Sequence, residues 1–167
     1  MPKTKTVFQL VILVSLCLFL SPGAWAHGHA HGHKKPDKRG ILLVAFGSSY
    51  PQAQASFENI EARVKKAFPQ VPVRWAYTSR IIRHKLNEKG KHYDSTAMAL
   101  AKMMDEGFTH VAVQSLHTIP GAEFHDLRSI VTGFGSMSCG FEKILLGYPL
   151  LSAPQDLAAV RDAMLNT

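Results

Sequence analysis

Residues 41–51 read Ile41-Leu42-Leu43-Val44-Ala45-Phe46-Gly47-Ser48-Ser49-Tyr50-Pro51, and this stretch decides the fold. An unbroken apolar run from Ile41 to Phe46 suits a strand buried on both faces, as in a parallel sheet covered by helices on each side. Gly47-Ser48-Ser49 turns the chain. Ser49 offers an N-cap and Pro51 a first-turn position, so a helix is expected to follow at once. Phe57, Ile60, Val64 and Ala67 recur downstream at helical spacing and give that helix one apolar face.

The same alternation continues outward. Val71 to Tyr77 reads as a second strand, followed by a short helix in which Ile81, Ile82 and Leu86 stand among basic residues. Asp94 or Ser95 is expected to cap a third helix with Ala97, Leu100, Ala101 and Met104 on its apolar face, stopped by Gly107. His110 to Leu116 is a third strand, Pro120 starts another helix, and Lys143 to Leu151 contains a fourth strand. Ser152 with Gln155 resembles a capping box for a last helix carrying Leu157, Val160 and Met164. The expected fold is a small flavodoxin-like α/β sandwich: about four parallel strands, helices on both faces, right-handed crossovers. Ligands of such sheets bind outside the carboxyl ends of the strands. Here those ends are Gly47-Ser48-Ser49, Thr78-Ser79, His117-Thr118 and Tyr148-Pro149. No Gly-Lys-Ser/Thr follows the first strand and no G-x-G-x-x-G occurs, so the usual phosphate-cradling loops are excluded and a small ligand of another kind is indicated.

The amino terminus has a different logic. Lys3 and Lys5 precede an apolar run from Val7 to Leu20, Ser21-Pro22-Gly23 breaks it, and Ala24-Trp25-Ala26 supplies small residues where a signal peptidase reads. The run falls short of the ~20 apolar residues of a membrane span. Residues 1–26 are therefore expected to be a cleaved secretory signal, with the protein periplasmic and free of the membrane afterwards. Residues 27–39 form a polar tail with His27, His29, His31 and His33 on alternating positions, a tract unable to bury a core and expected to be mobile. Cleavage after Ala26 would leave His27-Gly28-His29, whose amine, two amide nitrogens and imidazole suit square-planar Cu2+ or Ni2+. His31 and His33 would add weaker sites. Cys17 leaves with the signal, and Cys139 has no adjacent His or acid, so it reads as a bystander.

The net charge of +7 in 167 residues is concentrated ahead of residue 40, leaving an excess of only two bases over residues 40–167. A nucleic-acid binder would carry that charge on its folded domain, so nucleic acid is not an expected partner.

The most informative stretch is Gln114-Ser115-Leu116-His117-Thr118-Ile119-Pro120-Gly121-Ala122-Glu123-Phe124. It places an imidazole at a strand's carboxyl end and a carboxylate in the first turn of the next helix. A strand-end His can take protons or hold a metal near neutral pH. Taken alone, His117 is more simply a hydrogen-bonded structural histidine, Glu123 a favourable charge at a helix start, and His125 a surface residue.

Four segments together resemble the anaerobic cobalt chelatases, which insert cobalt into sirohydrochlorin for cobalamin synthesis. They are Leu43 to Tyr50, Arg74-Trp75-Ala76-Tyr77-Thr78-Ser79 with Ile81-Ile82-Arg83, Gln114 to Phe124, and Leu146-Gly147-Tyr148-Pro149-Leu150-Leu151. They occur in the family's order and cover nearly all of residues 40–152. With a secretory signal, the sequence is similar to the periplasmic form. The resemblance implies a lyase-type metal chelatase with no organic cofactor. Its substrates would be a sirohydrochlorin-like tetrapyrrole and Co2+, with Ni2+ or Fe2+ also suited to N/O ligands.

For the site, it implies a pocket carboxylate at Glu123, the neighbouring His117, and the loop after the first strand with Ser48 and Ser49. Thr78 and Arg83 would add substrate contacts. Glu123 and His117 are the expected catalytic and metal-holding pair. Arg83 is picked from the basic cluster Arg80, Arg83, His84, Lys85, Lys89, Lys91 and His92, which otherwise reads as an ordinary solvated helix face. The family has two similar halves facing one cleft, and its further histidines lie in second-half segments of the type Gly-His-Gly and Gly-Asp-His, which do not occur in this sequence. The expectation is the amino-terminal half, as a truncated product or as a homodimer. A non-catalytic periplasmic metal or tetrapyrrole carrier and a structural remnant are the other readings.

Overall fold

The computed structural model describes residues 36–165. The expected signal (1–26) and His27, His29, His31 and His33 lie outside the described residues. Strands β1 (Arg39–Ala45), β2 (Val73–Tyr77), β3 (His110–Ser115) and β4 (Lys143–Gly147) alternate with helices α1 (Pro51–Ala67), α2 (Arg80–Asn87), α3 (Thr96–Asp105), α4 (Ala122–Gly135) and α5 (Pro154–Leu165). The four strands form one parallel sheet in the order β2-β1-β3-β4. This is the α/β sandwich expected from the sequence.

The central strand explains why the first apolar run has no polar interruption. Residues Gly40–Ala45 are all buried, because β1 has neighbours on both edges and helices on both faces. Leu42 and Val44 join Val111, Val113, Leu100, Met103, Phe124, Leu127 and Val131 in the larger core cluster, beneath α3 and α4. Ala45, Tyr77 and Leu86 form a smaller cluster on the other face with Phe57 of α1, Ile82 of α2, Trp75 and Tyr93. Tyr77 and Tyr93 stack there with ring centroids 4.2 Å apart. Burial, followed by the neighbouring Tyr93, pushes the Tyr77 phenol far above its ordinary value.

Several local expectations shift when the tertiary contacts are in place. The strand begins earlier than the apolar run, because Thr109 Oγ1 accepts the Lys38 N–H (3.0 Å) and the Lys38 carbonyl accepts the N–H of Thr109 (2.9 Å). It also ends earlier: Phe46, expected inside the strand, is 49% exposed. The N-cap of α1 is Tyr50, without a side-chain cap, in place of Ser49. Ser95 does cap α3, with Oγ accepting the N–H of Met98 at 3.3 Å. The buried face of α3, however, is Thr96, Ala99, Leu100 and Met103. At α4 the cap is Gly121, one residue beyond Pro120. At α5 the reciprocal acceptor is Asp156, whose Oδ2 takes the N–H groups of Ser152 (3.2 Å) and Ala153 (2.8 Å), in place of Gln155. No side chain of α5 is buried.

Candidate active site

The carboxyl ends of three strands converge on His117. Ser115, the last residue of β3, is fully buried, and its Oγ lies 2.9 Å from His117 Nδ1 while accepting the His117 backbone N–H at 3.3 Å. Across β1, Thr78 at the end of β2 puts Oγ1 3.4 Å from His117 Nε2. The strand ends are tied together by Leu116 N–H to the Val44 carbonyl (2.7 Å) and Thr78 N–H to the Ala45 carbonyl (2.9 Å).

The loop after β4 clamps the same residue from the far side. The carbonyls of His117 and Thr118 accept the N–H groups of Leu150 (2.9 Å) and Leu151 (2.8 Å). Gln114 Nε2 bridges the Ser115 and Tyr148 carbonyls at 2.8 and 3.0 Å. Gly147 makes this bridge possible, because a Cβ there would overlap the Gln114 amide.

His117 is only 8% exposed. Burial pushes its pKa below the ordinary imidazole value, with the negative charge of Glu123 pulling in the opposite direction and losing. The ring is therefore neutral at pH 7, with a nitrogen able to accept a proton or a metal. Glu123 occupies the first turn of α4 and is exposed. The two expected residues are thus close enough to be coupled electrostatically: a buried neutral base beside a solvent-facing carboxylate.

The remaining expected contacts divide. Ser48 and Ser49 are half-buried at the end of β1. The Ser48 hydroxyl accepts the Tyr50 N–H (3.2 Å) and its carbonyl accepts from Gln54 Nε2 (2.5 Å), so Ser48 shapes the turn. Gly47 is required there: its φ is +94° and a Cβ would sit 2.6 Å from the Tyr77 ring. In the basic cluster, Arg80, His84, Lys85, Lys89, Lys91 and His92 are exposed, and His84 lies 3.5 Å from Glu88. Arg83 stands apart, half-buried, with a buried Nε that lacks a hydrogen-bond partner. His125 is on the helix surface and Cys139 is an exposed free thiol.

The sequence reading missed an apolar rim. Phe46, Tyr50, Ile81, Ile119 and Tyr148 are all large and exposed, and each follows the carboxyl end of a strand. Large apolar side chains left exposed along one edge of a sheet suit a ligand or partner contact. The available signal was positional: each is among the first large apolar residues after its strand. Among the described residues no group of three or more His, Cys, Asp or Glu could hold a metal ion.

Known proteins align with this architecture. The chain is 45% identical over 133 residues to a sirohydrochlorin cobaltochelatase, CbiKC, of Nitratidesulfovibrio vulgaris strain Hildenborough, covering 80% of this chain and 47% of the relative. It is 32% identical over 129 residues to the sirohydrochlorin cobaltochelatase of Salmonella typhimurium strain LT2, covering 76% of this chain and 48% of the relative. The chain thus spans about half the length of the curated relatives it matches. Residues 39–166 match the family model of the cobalt chelatase CbiK, from the first residue of β1 through α5. This match takes in the whole clamped edge around His117, and the chain belongs to the cobalt chelatase family.

Proposed function

We propose that this chain supplies one half of the cleft of a sirohydrochlorin cobaltochelatase, which inserts Co2+ into a sirohydrochlorin-like tetrapyrrole for cobalamin synthesis. The observation that carries the reading is a buried imidazole, bonded to Ser115 and Thr78 and near the charge of Glu123, at the carboxyl edge of the sheet in a chain of this family. Insertion of a divalent metal displaces two pyrrole protons. In this reading His117 accepts a proton at a ring nitrogen, and Glu123 draws the cation to the edge and takes the second proton. The apolar rim lies against the macrocycle, while Arg83 pairs with a substrate carboxylate. Ni2+ and Fe2+ suit the same donors, with Co2+ as the physiological substrate. A second copy of the chain provides the facing wall of the cleft. Export to the periplasm follows from the leader-like segment ahead of His27.

The test is an insertion assay with sirohydrochlorin and Co2+, followed by the absorbance change of the macrocycle. Insertion should occur with the wild-type chain and fall about 10²- to 10⁴-fold in Glu123→Gln and in His117→Gln, the range for loss of a positioned acid–base group. Tight binding of the tetrapyrrole with no insertion would instead make the protein a carrier. Intact mass of the exported protein should correspond to a chain starting at His27; a retained Met1 in the membrane fraction overturns the export proposal. In that mature protein, His27-Gly28-His29 binds Cu2+ through four nitrogens. A variant with one extra residue before His27 should lose that affinity and its visible spectrum.

A further inference from the structure

The segment between β2 and α3 concentrates positive charge at one end of the cleft edge. Residues 80–92 hold five Lys or Arg and a single acid, although residues 40–167 as a whole have an excess of only two bases. Arg80, Lys85, Lys89 and Lys91 are exposed, and among the described residues none of the four is in an ion pair. Lys65, Arg74, Lys102 and Arg161, by contrast, each lie against a carboxylate. Glu88, the acid of the segment, faces His84.

Both ends of this segment are anchored at the site. It leaves the sheet at Thr78, whose Oγ1 is 3.4 Å from His117 Nε2, and Ser79 caps α2. It returns at Asp94, whose carbonyl accepts the Tyr77 N–H at 2.9 Å in a parallel bridge beside Ala76. In between, α2 has 8 residues and is ~12 Å long, and the Lys91 N–H is tied back to the Leu86 carbonyl at 2.9 Å. The charges therefore stay within one to two Debye lengths of the edge, each about 8 Å at physiological salt. Ile81 of the apolar rim stands among them, 67% exposed. Across β1, the first turn of α4 carries Glu123, whereas the first turn of α2 has no acid. The edge is thus basic beyond β2 and carries a carboxylate beyond β3.

We infer that residues 80–92 are a capture surface for a small polycarboxylate, acting on the rate of encounter and not on the bound complex. Polycarboxylate is the chemical class of the tetrapyrrole in the proposed reaction, so the inference rests on the reading that this edge walls a tetrapyrrole cleft. Exposed lysines gain little from any one fixed contact, because ordering a long side chain offsets a screened attraction. Their summed field is a different matter: it raises the local concentration of an oppositely charged ligand and its on-rate by about 10- to 10³-fold. The division of the edge also separates two substrates of opposite charge. The polyanion is drawn to the β2 side, and the cation is left to Glu123.

The test is stopped-flow fluorescence of the full chain with uroporphyrin, a porphyrin with carboxylates on every pyrrole, and with mesoporphyrin, which has far fewer. Uroporphyrin should associate fastest at about 0.01 M salt, where the Debye length is ~30 Å, and at least about 10-fold more slowly at about 1 M, where it is ~3 Å. Mesoporphyrin should show a much smaller slope. The triple variant Lys85→Gln, Lys89→Gln, Lys91→Gln should lose about 10-fold in uroporphyrin on-rate at low salt, keep the wild-type off-rate, and match wild type at high salt. The control removes the same charge at the opposite edge with Arg63→Gln, Lys66→Gln and Lys143→Gln, and should stay close to wild type. All six positions are exposed, so circular dichroism should be unchanged. Equal slowing by both triple variants overturns the inference, because net charge alone would then suffice. So does a salt-independent on-rate, an effect confined to the off-rate, or no association of uroporphyrin at all. Salt-steered association without subsequent metal insertion upholds the capture surface and overturns the proposed activity instead.

Discussion

On one face of the sheet Leu42, Val44, Val111 and Val113 are sealed under α3 and α4, whereas on the other face Ala112 and Leu145 of β3 and β4 stay in contact with water. The strands are the same and their side chains simply alternate, yet the two surfaces answer different needs. The sealed face carries the larger core, and burial there scales with apolar area removed from water. The second face is finished only over β1 and β2, where Phe57, Trp75, Tyr77 and Leu86 pack. Beyond β1 it offers shape without closure. One face of this sheet is sealed, and the residues that alternate with it, a half-turn away, leave Ala112 and Leu145 exposed.

That contrast is broken or sharpened first by truncating one residue on each face. Leu100→Ala, in the sealed core, should cost about 2–5 kcal/mol of unfolding free energy. Leu145→Ala, 55% exposed, should cost within about 0.5 kcal/mol in protein dilute enough to be a single copy. Urea unfolding of the two variants measures both, and similar losses would dissolve the distinction. A second, smaller effect belongs to the turn that joins the faces. Gly47→Ala forces a side chain into φ +94° against the Tyr77 ring and should destabilise by about 2 kcal/mol, more than the ~1 kcal/mol gained when Gly becomes Ala in ordinary backbone. Third, Ser95→Ala removes a bonded N-cap on the sealed face and should cost about 1 kcal/mol. Ser49→Ala, where no cap exists, should be close to neutral.

The smallest effect is in pH dependence. His117 has a depressed folded pKa, so the unfolded chain binds more protons in the window between the two values. Its contribution is fully present above the unfolded value of about 6.5 and is lost as pH falls through the folded pKa. Stability of the wild type should therefore decline below about pH 6.5 more steeply than that of His117→Gln, as followed by thermal unfolding across that range.

What could be read from the sequence depended on whether neighbours outside the local segment mattered. The uninterrupted Ile41–Ala45 run announces burial on both faces without any other information, and the helical spacing of Phe57, Ile60 and Val64 does the same for α1. The apolar face of α3 was misplaced because Thr96-Ala97-Met98-Ala99-Leu100-Ala101-Lys102-Met103-Met104 is apolar nearly all round. Only the packing against β1 and α4 selects Ala99, Leu100 and Met103. Phe46 was read as strand because hydrophobicity does not say where a sheet stops. His117 and Glu123 were legible as a strand-end imidazole and a first-turn carboxylate. The partners that hold His117 were not, since Thr78 is 39 residues away and becomes its neighbour only through β1.

The bonds from Leu150 and Leu151 to the backbone of His117 and Thr118 have a consequence for the order of events during folding. Pairing of β1 with β2 and β3 needs nothing beyond residue 115 and already brings Ser115 and Thr78 to the imidazole, whereas the carbonyls of His117 and Thr118 are bonded only once β4 and the segment after it have docked. Non-local contacts of this kind form late, because loop closure must precede them. A chain still emerging at residue 140 would already have most of its core and no finished site. The backbone on either side of the imidazole is therefore fixed by the last part of the sheet to arrive.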